Sequence, residues 1–495
     1  MALYGRTVLY TDYDEITKQN IVEILNNVSG DWQTNVTDIT TLYEYYTGKQ
    51  DILKRVKIVR PEINNTTVVN IANQIVTFKT GYLIGEPVQY VSKVDDENVG
   101  RQISTLNGYM SSEGKSSKDI ELADWMHICG QGYRIILPDA DVSDNEDESP
   151  FETYVLDPRQ TFVIYKNDMT KKPMLGVYVT TMQDGTKIYT CYSDTKTFVL
   201  NDATGELAVQ KVTPHIMGGV PIIEYPLNNA RIGAFEVVKD ILDSINEIAS
   251  DRTDAIESFV DALLVFKGVD IEAEELEQLR QMGALKVPVD GDIKYLVQEL
   301  NQQQTQTLVD YFYDTILTIV GMPSQGNGKT SDSSNNGAVI LKNGWSDAEA
   351  RAKATELRFD ESEKRFLEIA LTIAGVYKDT DLRISDIDIK FTRRNYENIE
   401  SKAQVLISML NNEKLNPQLA FDYSNMFPDP ESAYLMSKPY IDKFYNLAAN
   451  GAEIDDGTLS GGSTYVRGFF RSEKGSKTMD VGEEDNPIDG ETDET

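Results

Sequence analysis

The stretch Pro323-Ser324-Gln325-Gly326-Asn327-Gly328-Lys329-Thr330 ends in Gly-Lys-Thr, the tail of the phosphate-binding pattern G-x-x-x-x-G-K-[ST]. In that pattern a strand runs into a glycine-rich turn. The amides at the start of the next helix then cradle a phosphate that the lysine also reaches. Pro323 stands where the first glycine belongs, and a proline supplies neither the backbone freedom nor the N–H. The residues before the stretch read as a helix. Those after it are more loop, rich in Ser, Asn and Gly. The spacing therefore points to a polar loop rather than a nucleotide cradle. A nucleotide-dependent enzyme using Lys329 is the alternative.

Metal and nucleophile chemistry have little to draw on. His127 and Cys129 lie close together, but the chain holds only 2 His and 2 Cys, too few for the paired four-ligand spacing of a structural zinc site. A partly buried histidine and a core cysteine are the expectation. The segment from Asp139 begins D-x-D-x-S, like a calcium loop. Asp144 stands where that loop needs Gly, and Pro150 where it needs Glu. It reads as an acidic hairpin tip over 139–149. No G-x-S-x-G elbow is present. Carboxylates are so abundant that two near each other carry no information. No cofactor and no catalytic residue is expected.

Lys239, Arg252 and Lys267 are sparse cations in an acidic region. Ion pairing at three- and four-residue steps, for example of Lys239 with Asp240 and Asp243, is the simpler reading. The other is a sparse basic lining, which a ring of copies would turn into rings of positive charge.

The elements that must carry these residues follow from periodicity. Residues 14–29 and 36–47 read as two helices, with Ile16, Ile21, Ile24 and Leu25 on one face. Val68–Ile84 reads as a helix stopped by Gly85-Glu86-Pro87, and 117–128 as another. Between 132 and 228 the pattern alternates (YRIIL, TYVLD, TFVIY, LGVYVTT, KIYTCYS, TFVLN). Turns fall at Asp157-Pro158, Asp184-Gly185 and Thr204-Gly205, as in an antiparallel sheet region. Residues 234–267 carry no Pro and no internal Gly. They read as one helix of about 50 Å at 1.5 Å per residue. A small module follows: a short helix over 272–282, ALKVPV as a strand, a turn at Asp290-Gly291-Asp292, and IKYLVQEL as a second strand. A helix over 302–320 returns. A third long helix, 344–376, is expected to break near Gly375, and ISDIDIKF (384–391) reads as a strand. Residues 397–450 read as helices punctuated by Pro417, Pro428, Pro430 and Pro439. From 472 the chain is acidic with almost no apolar residues, the composition of a disordered tail.

The chain has 495 residues, enough for several domains, with 40% hydrophobic and 26% charged residues. Its 47 Lys+Arg against 80 Asp+Glu give a net charge of −33. That argues against a broad basic surface for gripping nucleic acid and against contact with anionic membranes. The cysteine count fits a reducing compartment. No secretory signal and no membrane-length apolar run is read.

Four passages carry a family resemblance. They are LYEYYTGKQDIL (42–53), NIANQIVTFKTGYLIGEPVQY (70–90), GGVPIIEYPLN (218–228) and IKFTRRNYENIESKAQ (389–404). In order and spacing the chain resembles the portal proteins of tailed double-stranded DNA bacteriophages, of the long-tailed siphophage type. The resemblance spans most of 40–450 and omits the first 35 residues and the acidic tail.

The resemblance implies an α+β, mainly helical portal fold assembled as a ring, generally of twelve subunits, around a DNA channel at one capsid vertex. On this chain the wing would be 1–232, together with the long helix and strand of 344–394. The stem would be 233–267 and 301–320, the clip 268–300, the tunnel loop 321–343, the helical crown 395–471 and the tail 472–495. It implies the channel candidates Lys329, Asn327, Ser331, Asn335, Asn336 and Lys342 on the loop, and Lys239 and Arg252 on the stem. It implies the clip candidates Glu274, Glu277, Arg280, Lys286 and Lys294 for partner binding. Implied partners are further copies, DNA passing without tight binding, the large terminase, a head-tail connector or adaptor, and the major capsid and scaffold proteins. The implied location is the virion vertex, with host cytoplasm during assembly. An acidic wall suits that role, because each phosphate salt bridge would add affinity and drag. Another virion structural protein, such as a capsid or minor head protein, is the third reading.

Overall fold

The structure, a computed structural model, describes residues 5–449 apart from 59, 95, 140–147, 204, 261–262, 268–291, 297–301, 324–343, 379, 393–398, 413, 425 and 428–429. The chain falls into two compact units, Met1–Gln404 and Val405–Thr495.

The first unit is built on three larger cores and a small one between the two sheets, of Tyr133, Ile135, Val163, Tyr165 and Ile222. In one, the N-terminal half of α1 (Ile21–Tyr46) lays Ile21, Ile24, Leu25, Val28 and Trp32 on a six-stranded sheet. That sheet runs β1 (Leu9–Thr11), β5 (Thr161–Lys166), β6 (Pro173–Thr181), β7 (Lys187–Tyr192), β8 (Lys196–Asn201) and β9 (Ala208–Pro214). Its pairings are antiparallel except β1 on β5, which is parallel and joins an N-terminal strand the alternating region does not contain. Gly185 and Gly205 adopt positive φ at the two expected turns.

In the second core the other half of α1 (Ile39, Leu42, Tyr45) meets three more helices. These are α2 (Ile71–Leu83), α5 (Lys239–Val260) and α6 (Gln302–Val320). In the third, α3 (Glu97–Ser112) and α4 (Lys115–Cys129) pack with the sheet β10 (Ile222–Pro226)–β3 (Gln131–Pro138)–β4 (Phe151–Leu156). The same core takes in α7 (Trp345–Tyr377) and the pair β2 (Gln89–Ser92)–β13 (Ile387–Lys390).

Several expected elements take other bounds. Residues 14–29 and 36–47 are not two helices: α1 is one helix, and residues 14–20 lie outside it. Its buried row passes from Val28 to Trp32 and Asn35 without a gap. Packing therefore overrides the roughly 1 kcal/mol cost of the intervening Gly30. α2 starts at Ile71 rather than Val68, because Asn70 caps it, its side chain accepting the Asn73 N–H at 3.2 Å.

The helix expected over 234–267 ends at Val260, and so is about 33 Å long. Leu263–Lys267 is instead a strand, β11, antiparallel to β12 (Asp292–Leu296). The run Leu263-Leu264-Val265-Phe266 is apolar throughout, and such a run fits a helix or a strand equally. IKYL thus pairs with residues read as helix. ALKVPV and 272–282 lie outside the described residues.

α7 passes through Gly375 to Tyr377 unbroken. Of ISDIDIKF, Ile384–Asp386 is a 3-10 turn and only Ile387–Lys390 is strand. β3 and β4 form the expected hairpin, with tip residues 140–147 outside the described ones.

The second unit begins within α8 (Ile399–Leu410) and holds α9 (Pro417–Ser424) and α10 (Pro430–Ala449). Prolines open α9 and α10, where a missing N–H costs nothing. Pro439, expected to interrupt, lies inside α10. Phe421 stacks on Phe427 at 5.6 Å and meets Tyr434 edge-on at 5.8 Å. The acidic tail from 472 lies outside the described residues.

Candidate functional site

The α5–α6 pair carries the stem candidates, and its position is set where α5 begins. Glu236, just ahead of α5, accepts from the Arg6 guanidinium at 2.6 Å, from the Gly233 amide at 2.8 Å and from the Gly5 amide at 3.3 Å. Both carboxylate and guanidinium are buried. The end of α4 closes on the same place: Ala234 donates to the His127 carbonyl at 2.7 Å and Leu227 to that of Gly130 at 2.9 Å. Gly130, at φ +83°, lets the two segments touch, since a Cβ there would lie 2.2 Å from the Arg231 carbonyl.

Along its length α5 holds a strap, residues 55–69, which turns at Arg60–Ile63 and is bound along 65–69 by a row of side-chain acceptors. Asn246 Oδ1 accepts the Val69 N–H at 2.7 Å, Ser250 Oγ that of Thr67 at 2.9 Å, and Asp254 Oδ1 that of Asn65 at 2.7 Å. Four helical residues rise about 6 Å. Two extended residues advance about 6.6 Å. The two repeats therefore run in step, in opposite directions. Lys57 donates to Asp254 at 2.7 Å, and Arg55 pairs with Asp251 and Asp254. Burial opposes the charge of Asp254, but Lys57 and the Asn65 amides outweigh it and hold the carboxyl below its usual range.

The stem candidates are bound within the subunit. Lys239 Nζ lies 2.8 Å from Asp243, 3.0 Å from Asp51 and 4.8 Å from the centre of the Tyr45 ring. Burial lowers its basicity, and the two carboxylates more than restore it. The expected pairing at a four-residue step is present with Asp243. Arg252 Nη1 donates to Gln306 of α6 at 2.8 Å, and Gln306 donates to Asp310 at 2.7 Å. Lys267 ends β11, paired in register with Asp292.

The loop candidates Asn327, Lys329, Ser331, Asn335, Asn336 and Lys342 lie outside the described residues, but the ends of their segment are defined. Gly321 at φ +65° and Gly344 at φ +79° flank it. A Cβ on Gly344 would lie 3.6 Å from Pro323 Cα, so the chain leaves and returns at one point. Arg351 Nη1 donates to the Ile319 carbonyl at 2.8 Å and Lys79 Nζ to that of Gly321 at 3.3 Å, two cations at the C-terminal end of α6. Burial, aided by Arg351, lowers Lys79 to about 8. Of the clip candidates, Glu274, Glu277, Arg280 and Lys286 lie outside the described residues. Lys294 sits on β12 in register with Val265.

Sequence reasoning missed a buried ionic cluster under α7. Arg134 on β3 pairs with Asp119 and with Glu363 of α7 (3.2 Å). Lys115 pairs with the same two, at 2.7 and 2.8 Å. Tyr90 and Tyr225 hydroxyls donate to Glu363 at 2.5 and 2.7 Å. Burial raises the Glu363 carboxyl, but Lys115 and Arg134 prevail and bring it to about 2. Two cations and two carboxylates balance, so the cluster fixes α7 against β3 and α4.

Chemistry elsewhere is muted. His127 is buried, its Nδ1 3.2 Å from the Thr80 hydroxyl. Burial and Lys79 push it down to about 3. Burial pushes the Cys129 thiol up to about 12, and both cysteines are free and buried. Among the described residues no group of His, Cys, Asp and Glu could hold a metal ion. A cleft of about 570 Å³ between the β5–β6 turn and α7 is lined by Lys171, Lys172, Arg365 and Glu368, without imidazole or thiol.

The family model "Phage portal protein, SPP1 Gp6-like" matches residues 25–434. The portal protein of Bacillus phage SPP1 is 22% identical over 406 residues, covering 77% of this chain and 76% of that protein. Among solved structures, a chain of the neck of an empty GTA particle is 12% identical with a TM-score of 0.42. It covers 72% of this chain and 90% of that one. A chain of the native GTA virion is 13% identical, also with a TM-score of 0.42, covering 79% and 94%.

Proposed function

The chain belongs to the SPP1 Gp6-like family of phage portal proteins, and from that premise we propose that it assembles as a homo-oligomeric ring at one capsid vertex. Its axial channel passes DNA in packaging and ejection without gripping it. In this reading the α5–α6 pair is the stem, and the β11–β12 pair and its flanking residues are the clip that meets the large terminase and later the head-tail connector. The 321–343 segment is the tunnel loop and the helices after 395 the crown. The capsid and scaffold proteins surround the ring, and assembly takes place in the host cytoplasm.

The observation that carries the channel reading is the state of the stem cations. Lys239 is held by Asp51 and Asp243, and Arg252 is bonded to Gln306. Cations engaged in this way have less to offer a passing phosphate, and each phosphate contact withheld removes affinity that depends on salt. The protein is then a passive conduit, driven by a separate motor. The nucleotide alternative lacks support: α6, a helix, precedes the Gly-Lys-Thr segment where a strand is required.

The test is duplex binding by the purified assembly across a salt series, with ATP turnover measured beside it. Weak binding at physiological salt and no turnover are expected. Tight binding would overturn the channel reading. Turnover abolished by Lys329→Ala would establish the enzyme instead.

A further inference from the structure

The strap and α6 lie on opposite sides of α5, and their outer surfaces are apolar. At 100° per residue Ser250, which holds the strap, is 200° from Arg252, which reaches α6. Within the strap, alternation turns Arg55 and Lys57 toward the α5 carboxylates and Val56 and Ile58 outward, where they are 83% and 96% exposed. A segment that turns its charges inward and its branched apolar side chains into water is the reverse of the usual surface pattern.

Across α5, α6 shows a matching feature. Tyr311 is 65% exposed, with Leu308 and Ile319 flanking it on the side turned away from buried Ile316 and Leu317. Asp314, 60° round the helix from Tyr311, borders this stripe, and α6 has no cationic residue. Lys54, at the end of the 3-10 turn before the strap, and Arg55, Lys57 and Arg60 of the strap fall within seven residues of a chain whose net charge is −33. Arg55 and Lys57 are engaged with α5. Lys54 and Arg60 stand at its margins, each with one exposed carboxylate of its own, Asp51 and Glu62.

We infer that the strap of one copy docks on the α6 stripe of the next, Val56 and Ile58 against Leu308 and Tyr311, with the Lys54 and Arg60 end of the strap toward Asp314. The inference rests on the ring reading above and names its contact. Two different patches on opposite sides make a head-to-tail interface, which propagates in one sense and closes when its rotation divides a full turn. The occupant of the strap is a second copy of this chain because the complementary apolar stripe and charge both lie on this chain.

The experiment uses the full chain. The natural thiols are buried, so a cysteine introduced at 58 reports its neighbour. Ile58→Cys is combined in one chain with Tyr311→Cys, and separately with Leu308→Cys, then oxidised with copper–phenanthroline in air. At least one double variant is expected to give a ladder of covalent multimers ending at ring size. Mixed single variants should give covalent dimers, and each single alone none. Rings without either crosslink, or with crosslinks from Ile58→Cys alone, would overturn the contact and leave the ring standing. Wild-type chain that forms no ring would overturn both. In parallel, Val56→Glu/Ile58→Glu should abolish rings while leaving the melting temperature of the subunit unchanged, since these side chains are exposed. Intact rings from that variant would overturn the contact.

Discussion

Asn246 Oδ1 accepts the N–H of Val69 at 2.7 Å, the first rung of a row that continues through Ser250 to Thr67 and Asp254 to Asn65. The row makes the strap and α5 one mechanical piece. Position is thereby passed from α2 to α5.

Breaking the row should free the strap before it unfolds the subunit. Ser250→Ala orphans one amide, a loss of about 1–2 kcal/mol. Asp254→Ala also leaves Lys57 unpaired and should cost more. Protease cleavage within 55–64 should rise in that order. Equal cleavage in both variants and wild type would refute the row's role.

The ionic cluster should be sensitive to removal of one partner. Glu363→Leu leaves Arg134 and Lys115 buried with one carboxylate between them, a cost of about 3–5 kcal/mol. Glu363→Leu/Arg134→Leu should recover part of it. Chemical denaturation of these two variants and of Arg134→Leu alone measures the difference, and an additive double variant would contradict the coupling.

The same group sets an acid dependence. Its folded carboxyl is at about 2, below the unfolded value, so its stabilisation is present above roughly pH 4.5 and lost as pH falls toward 2. The stability gap between wild type and Glu363→Gln should narrow across that window. A gap constant down to pH 3 would contradict it.

Lys79 works in the opposite sense. Its folded value, about 8, lies below the unfolded one, so the fold disfavours the proton the unfolded chain keeps. Stability should rise as pH goes from about 8 to about 10.5, and Lys79→Met should flatten that slope. Melting temperature against pH in both chains measures it, and parallel curves would refute it.

The glycines at the loop ends predict how the loop tolerates change. Gly321→Ala places a Cβ 2.3 Å from Arg351 Nε at positive φ and should disturb the end of α6. Deleting 324–337 should leave ring assembly intact, because the flanking ends already meet, and should impair packaging or DNA retention. Rings lost on deletion would place the loop in the subunit interface.

Much of the helical framework was legible because its apolar rows are long: α2, α4, α6 and α7 lie close to where periodicity puts them. The end of α5 was not, because Leu263-Leu264-Val265-Phe266 carries no period and its partner strand is distant. Gly30 and Gly375 look like breaks, yet the helix runs through both: Val28 and Trp32 pack on either side of Gly30, and Ile373 and Ala374 just before Gly375. The Asn246-Ser250-Asp254 row at four-residue steps was not singled out in the sequence. Nor was what it held, since an extended segment some 180 residues away leaves no local mark. Arg134 and Glu363, separated by 229 residues, were invisible for the same reason. The family resemblance rested on 42–53, 70–90, 218–228 and 389–404, and the family match over 25–434 includes all four.

The central claim is a ring with an axial channel, and class averages of the negatively stained, purified chain test it most directly. Discrete rings with a central hole are the predicted result. Monomers or closed shells under the same conditions would contradict it.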